Sequence, residues 1–219
     1  MRNAMTVAGL LVALASAGCV IDPNHSWDSR RYKPDNVLGP GVAQPGSEWS
    51  YVRRDSGSYG DGVSHVSWKS LPVQTWQGRP HYAYQGPEAT ILIDQTSGAW
   101  AAQVKDGKPL VGWDPPLGFH WPMWVGESWS TPYRVTNYGT NKSAEMRASW
   151  TVESHETVNV PAGSFRTFKI LYSTPTLWGY LWWSPELGVY VKSRVERLDG
   201  DPAGPGVRES DLLRQSIKR

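Results

Sequence analysis

Residues Met146 to Glu153 alternate without a fault, with Met146, Ala148, Trp150 and Val152 on one side and Arg147, Ser149, Thr151 and Glu153 on the other. A period of two sends successive side chains to opposite faces of an extended strand, so one face is apolar and the other polar. The pattern demands a sheet with one buried face. It recurs in Val189 to Val195, where the valines take the inward positions. Thr90 to Asp94 is β-branched and bounded by Gly86-Pro87 and Thr96-Ser97-Gly98, which makes it a strand between turns. Val160-Pro161-Ala162-Gly163 puts Pro second and Gly fourth in a tight turn, joining strands around Val158 and Phe168 as a hairpin. The apolar phase slips after Phe165, so a bulge or other irregularity is expected between Phe165 and Ile170. No segment before the C-terminal tail shows a helical period. The expectation is an all-β fold, an antiparallel meander forming an incomplete barrel or a two-layer sandwich. Trp150, Val152, Phe168, Ile170, Val189 and Val191 should be core.

The apolar material is unevenly distributed, with thirteen Trp and ten Tyr but only three Phe. Large aromatics with a polar handle suit sheet faces and half-wet clefts. Frequent Gly and Pro fit many short strands joined by turns.

The N-terminus has a different character. One positive charge at Arg2 precedes an apolar run from Ala4 to Ala15, and Ser16-Ala17-Gly18 leads into Cys19, the chain's single cysteine. The run falls short of the roughly 20 residues needed to span a membrane as a helix, so it reads as a secretory signal. Small residues and Gly before Cys resemble the bacterial lipobox, in which the thiol is acylated and the preceding peptide bond is cut. That resemblance makes Cys19 a lipidated, palmitate-bearing N-terminus. Val20 rather than Asp after the cysteine implies the outer membrane, with the domain on the periplasmic side. An ordinary signal peptide followed by a free thiol is the alternative; Ser16 favours it, because a lipobox usually has Leu there.

Four segments follow: a signal peptide over 1–18, a flexible tether over 19–46, a β-domain over 47–198 and a tail over 199–219. The tether is polar, Pro/Gly-punctuated and aperiodic, and is expected to be disordered. In the tail, Ser210 to Ile217 suits either a short helix or a last edge strand. Loss of Arg2 with the signal leaves one more basic than acidic residue. That balance speaks against nucleic acid as a partner.

Three motifs occur in order: Val125-Gly126-Glu127-Ser128-Trp129, then Val160-Pro161-Ala162-Gly163-Ser164-Phe165, then Trp183-Ser184-Pro185-Glu186-Leu187-Gly188-Val189-Tyr190-Val191-Lys192. Together they resemble the TapB-like group of bacterial periplasmic domains of unknown function, over about Glu48 to Arg197. The resemblance implies an exported β-domain, often of a lipoprotein, without established chemistry.

Catalytic signatures are missing. His25, His65, His81, His120 and His155 are scattered, and none pairs with another at metal-ligand spacing. There is no Gly-x-Ser-x-Gly elbow and no phosphate-cradling loop. No enzymatic activity, metal or cofactor is expected. Two aromatic runs remain, Gly118 to Trp124 and Trp178 to Trp183, with more large side chains than a one-sided strand can bury. Trp121, Trp124, Trp178, Tyr180, Trp182 and Trp183 are therefore the candidate ligand-binding residues, for an apolar or glycan ligand or an envelope protein. The function expected is a non-enzymatic binding or envelope-structural lipoprotein, held to the membrane by its N-terminal lipid. The rival is a hydrolase acting on glycan or lipid, with a carboxylate pair drawn from Asp94, Asp106, Asp114, Glu153 or Glu186 beside those aromatics.

Overall fold

The structure, a computed structural model, describes residues 41–218. The signal segment, Cys19 and the tether as far as residue 40 lie outside the described residues. The rest is a succession of strands: β1 (Glu48–Gly57), β2 (Gly62–Trp76), β3 (Arg79–Gln85), β4 (Thr90–Asp94), β5 (Trp100–Lys105) and β6 (Lys108–Leu117). They are followed by β7 (Ser128–Asn137), β8 (Lys142–Val160), β9 (Gly163–Ser173), β10 (Leu177–Ser184), β11 (Val189–Arg197) and β12 (Gly206–Ser216). Each pairs antiparallel with its neighbour in sequence, and β12 returns to pair with β1 from Glu48↔Ser216 to Gly57↔Gly206. The sheet is therefore a closed barrel, not the incomplete barrel or sandwich expected from the sequence. Closure gives every described strand a partner on both sides, with β6–β7 a short seam, paired only from Val111↔Asn137 to Asp114↔Arg134. It was hidden because the segment that closes it, Val207 to Ser216, mixes charges with Leu212 and Leu213 and lacks a clean alternation. Within the residues set apart as a tail, Gly206–Ser216 is a strand, the second of the two forms expected there, but it is paired on both sides and not an edge, so the barrel runs on past Leu198 to Ser216.

Turn chemistry fixes the register. Gln77-Gly78 and Asp106-Gly107 both take positive φ at two successive residues (49° and 76°, 50° and 74°). Two such residues are the conformation that matches the twist of a two-residue hairpin. The Val160 to Gly163 turn forms as expected, with Val160 paired to Gly163 across it. The irregularity lies on the facing strand: Glu153 is the extra residue of β8, between Val152↔Ile170 and Ser154↔Lys169.

The six expected core residues are all buried, Trp150 at 1% exposure and Val152, Ile170 and Val191 at zero. Trp129, Trp150 and Tyr172 stand in register on β7, β8 and β9 and stack at 6.0 Å and 5.3 Å between ring centres. The row ends at Gly179 on β10, where any Cβ would lie 2.9 Å from the Tyr172 ring. The bare glycine gives the aromatic its seat. A second buried cluster joins Trp49, Tyr51 and Tyr84 to Val189 and Val191. The tip of the β8–β9 hairpin reaches it too: the Ala162 N–H donates to the Leu212 carbonyl at 3.0 Å, and Val158, Val160 and Phe165 pack against the cluster.

Residues 41–46, assigned to the tether, are fixed to one end of the barrel. Ala43 is wholly buried; its N–H donates to the Tyr84 hydroxyl at 2.9 Å and its carbonyl accepts from the Ser70 hydroxyl at 2.8 Å. The Gln44 N–H donates to the Lys218 carbonyl at 3.2 Å, so the two ends of the domain are tied together.

Candidate functional site

The alternation Trp49, Tyr51, Arg53, Asp55 along β1 puts one aromatic-to-charged series on the inner face of the barrel. β2 opposes it with Trp68 and Val66, registered to Trp49 and Tyr51. Trp49, Tyr51, Arg53 and Trp68 line a lumen with two adjacent lobes that share Tyr51, Trp68, Ile91, Trp100 and Tyr190.

The inner lobe is apolar and narrow, about 50 Å³, and is walled by Trp49, Tyr84, Ile93, Phe119 and Trp183. Gly41 and Val42 of the docked segment close its end. The wider lobe, about 220 Å³, opens past Pro87 and Glu88 and carries Arg53, Gln103 and Arg208 among its lining residues. Apolar cavities of roughly 150 Å³ accept a benzene-sized guest, so the wider lobe has room for one ring or a short chain, while the inner lobe admits only the end of one.

Tyr190 joins the lumen because β11 carries a bulge: Trp182 pairs with Lys192 but Trp183 with Tyr190, leaving Val191 as the extra residue. The Tyr51 hydroxyl donates to the Tyr190 carbonyl at 2.8 Å. Burial raises the ionisation of both phenols above its usual range, so both line the cavity uncharged.

At the wider mouth, Arg208 forms a forked pair with Asp55, Nε to one oxygen and Nη2 to the other, each at 2.9 Å. This geometry is the stronger form of an arginine–carboxylate contact. Arg53 is less well served. Its side chain is only 11% exposed, its Nε is buried without a hydrogen-bond partner, and one Nη1 contact at 3.3 Å reaches Glu88, itself 72% exposed.

The six aromatic residues singled out from the sequence do not form one surface. Trp183 faces the lumen, its ring 5.3 Å from Phe119. Trp121 packs edge-on to Phe119 and donates its indole N–H to the Ser97 carbonyl at 3.0 Å. Trp124 sits in the β6–β7 loop, 47% exposed. Trp178, Tyr180 and Trp182 take the opposite phase of β10 and form a stripe on the outer wall. Two of its three rings carry a cation: Lys169 Nζ stands 4.1 Å from the Tyr180 ring centre and Lys192 Nζ 5.4 Å from that of Trp182. Contacts of this kind are favourable and cover the ring faces a sugar would use.

Two carboxylates border the stripe, and both are engaged. Glu153 pairs with Lys169 at 2.7 Å, and Glu156 accepts the Trp182 indole N–H at 2.7 Å. The Trp182 hydrogen bond, helped by the Ser154 hydroxyl and by Lys169, lowers the Glu156 pKa. A general acid needs the opposite shift. Among the described residues, no three His, Cys, Asp or Glu side chains are grouped so as to hold a metal ion.

The lumen residues Trp49, Tyr51, Arg53, Trp68, Trp100 and Arg208 were not singled out from the sequence. The signal was present in Trp49-Ser50-Tyr51-Val52-Arg53, whose alternation matches that of Met146 to Glu153, but an inward arginine makes sense only once the barrel closes.

No family model matches the chain, and no curated protein matches it. The chain is similar to three solved structures. One is described as an exported protein with a YmcC-like fold from Bacteroides fragilis, at 16% identity and TM-score 0.43, over 82% of this chain and 98% of that one. Another is described as a lipoprotein from Parabacteroides distasonis, at 14% identity and TM-score 0.41, over 82% and 98%. The third is the hypothetical lipoprotein YmcC from Escherichia coli, at 14% identity and TM-score 0.43, over 81% and 91%. Likeness of this degree assigns neither fold nor function, and both rest on this chain's own residues.

Proposed function

We propose that the protein is a lipid-anchored, non-enzymatic binding protein of the bacterial cell envelope that holds a small, largely apolar molecule inside its barrel. The observation that carries this reading is the lumen, apolar at its closed end and open through a polar mouth, which is the usual division of labour in a small-molecule site. The address is supported by the sequence alone: the short apolar leader, Ala17-Gly18 before Cys19, and Val20 after it, which fit acylation and the outer membrane's periplasmic side. The TapB-like motifs support the same compartment. In the structure they serve the frame, with Val160 to Gly163 as a hairpin turn and Ser184 to Gly188 as the turn under the docked N-terminal segment.

The test uses the full chain carrying Cys19→Ala, purified without detergent and titrated with 1-octanol. Saturable binding with a change in tryptophan emission is expected, because Trp49, Trp68, Trp100 and Trp183 wall the cavity. An unchanged emission spectrum and no binding heat up to the solubility limit of octanol would refute the lumen reading.

A further inference from the structure

The mouth of the lumen contains an imbalance that an apolar guest alone leaves uncorrected. Four charged side chains meet there: Arg53, Arg208, Asp55 and Glu88. Asp55 is committed to Arg208 through both oxygens, with the pair 22% and 14% exposed. Glu88 is the remaining carboxylate. It sits in the β3–β4 turn, where it touches Arg53 at 3.3 Å and Arg208 at 3.7 Å with the same oxygen. A mostly exposed side chain gives little to such a contact. Arg53 is thus a nearly buried cation whose Nε has no acceptor, next to the wider lobe. A guanidinium in that position, matched only by an exposed carboxylate and with its Nε unserved, is costly unless a further anion arrives.

From this we infer that the ligand is a short anionic amphiphile, its acidic head bound by Arg53 and its apolar body lying among Tyr51, Trp68, Trp100 and Tyr190. The inference rests on the lumen reading and adds the head group. The positions agree along the strand: Tyr51 and Arg53 are two residues apart on β1 and share the inner face. A head at Arg53 therefore leaves the next inward step, about 7 Å along the strand, to the ring of Tyr51. The guanidinium offers Nε and Nη donors in the fork that a carboxylate or phosphate oxygen pair accepts. Glu88 holds the place of that head in the unliganded protein, and its side chain, 72% exposed, has water to swing into when the head arrives. Removing the Glu88 charge should therefore help the ligand.

The experiment compares octanoate, 1-octanol and acetate on the Cys19→Ala chain, with and without Arg53→Met and Glu88→Gln. Octanoate should bind at least about tenfold tighter than octanol, the scale of a hydrogen bond to a charged group. Arg53→Met should erase that advantage and leave octanol binding in place, which also shows that the variant is folded. Glu88→Gln should tighten octanoate several-fold and leave octanol unchanged. Acetate should bind far more weakly than octanoate, because the apolar body supplies most of the contact. Equal affinity for octanol and octanoate, or an advantage that survives Arg53→Met, would overturn the head-group inference and leave the lumen reading intact. Failure of both octyl compounds to bind would instead remove the lumen reading itself.

Discussion

Single side chains in this barrel carry unequal electrostatic loads, and Glu127 shows how one can be read from pH. Its Oε2 is buried without a hydrogen-bond partner. Burial raises its pKa, opposed in part by a backbone contact at Trp124 and by His120. Below the unfolded value of 4.5 both states are protonated and the group costs nothing. As pH rises past that value the unfolded chain ionises first, so stability falls until pH passes the raised folded value, and is level above it. Glu127→Gln should therefore be more stable than the parent at pH 7, with the gap closing below about pH 4.5. Residue Glu127 is only partly buried, so solvent screening keeps the gain small. Thermal melts of the two proteins at pH 4 and pH 7 check this; a gap that is equal at both values would contradict it.

Among the elements, the segment over 41–46 lies against the apolar end, and two of the contacts that hold it can be tested by substitution. One is the Tyr84 hydroxyl on the Ala43 N–H; Tyr84→Phe should cost about 1 kcal/mol. The other is a backbone approach that only glycine permits. Gly188 lies at φ +67°, and a Cβ there would run into the backbone of Gly41 and Val42. Gly188→Ala should cost about 1–2 kcal/mol from the left-handed conformation alone and should also push the segment off. Gly60 provides the control, since it has φ +88° and no neighbour within 4 Å. Limited proteolysis within 41–46 should speed up in Gly188→Ala and stay unchanged in Gly60→Ala. The element scale is also where the sequence was most legible. Met146 to Glu153 and Thr90 to Asp94 fall inside observed strands, because a one-sided strand writes its burial into every second residue. The bulges at Glu153 and Val191 were not readable with that clarity. A single extra residue shifts the phase, and whether it shifts it on one strand or on its partner depends on the register between them.

For the whole molecule, the distribution of charge between the two faces of the wall separates this barrel from a membrane-spanning one. Arg134–Glu145, Lys169–Glu153 and Arg194–Glu209 stand on its outer face, while the interior is lined with tryptophan and tyrosine. Transmembrane barrels have the reverse arrangement, an apolar belt outside and a polar lumen. The wall therefore suits water, and under the proposal above the membrane contact is the lipid on Cys19. Cys19→Ala should release the protein from the membrane fraction or stall its processing; a variant that is fully processed and still sediments with membranes would contradict lipid anchoring. The individual strands were legible, but their closure was not, since it depends on β12 finding β1 across the length of the domain. The aromatic residues divided accordingly: Trp183 went inside and Trp178, Tyr180 and Trp182 outside, a division that adjacent positions on one strand require but do not orient. The most direct measurement follows this division. In spectra resolving the indole N–H signals of the nitrogen-labelled Cys19→Ala chain, octanol should shift Trp49, Trp68, Trp100 and Trp183 and leave Trp124, Trp178 and Trp182 in place. Shifts confined to Trp124, Trp178 and Trp182 would contradict a ligand in the lumen and move the binding surface to the outer wall.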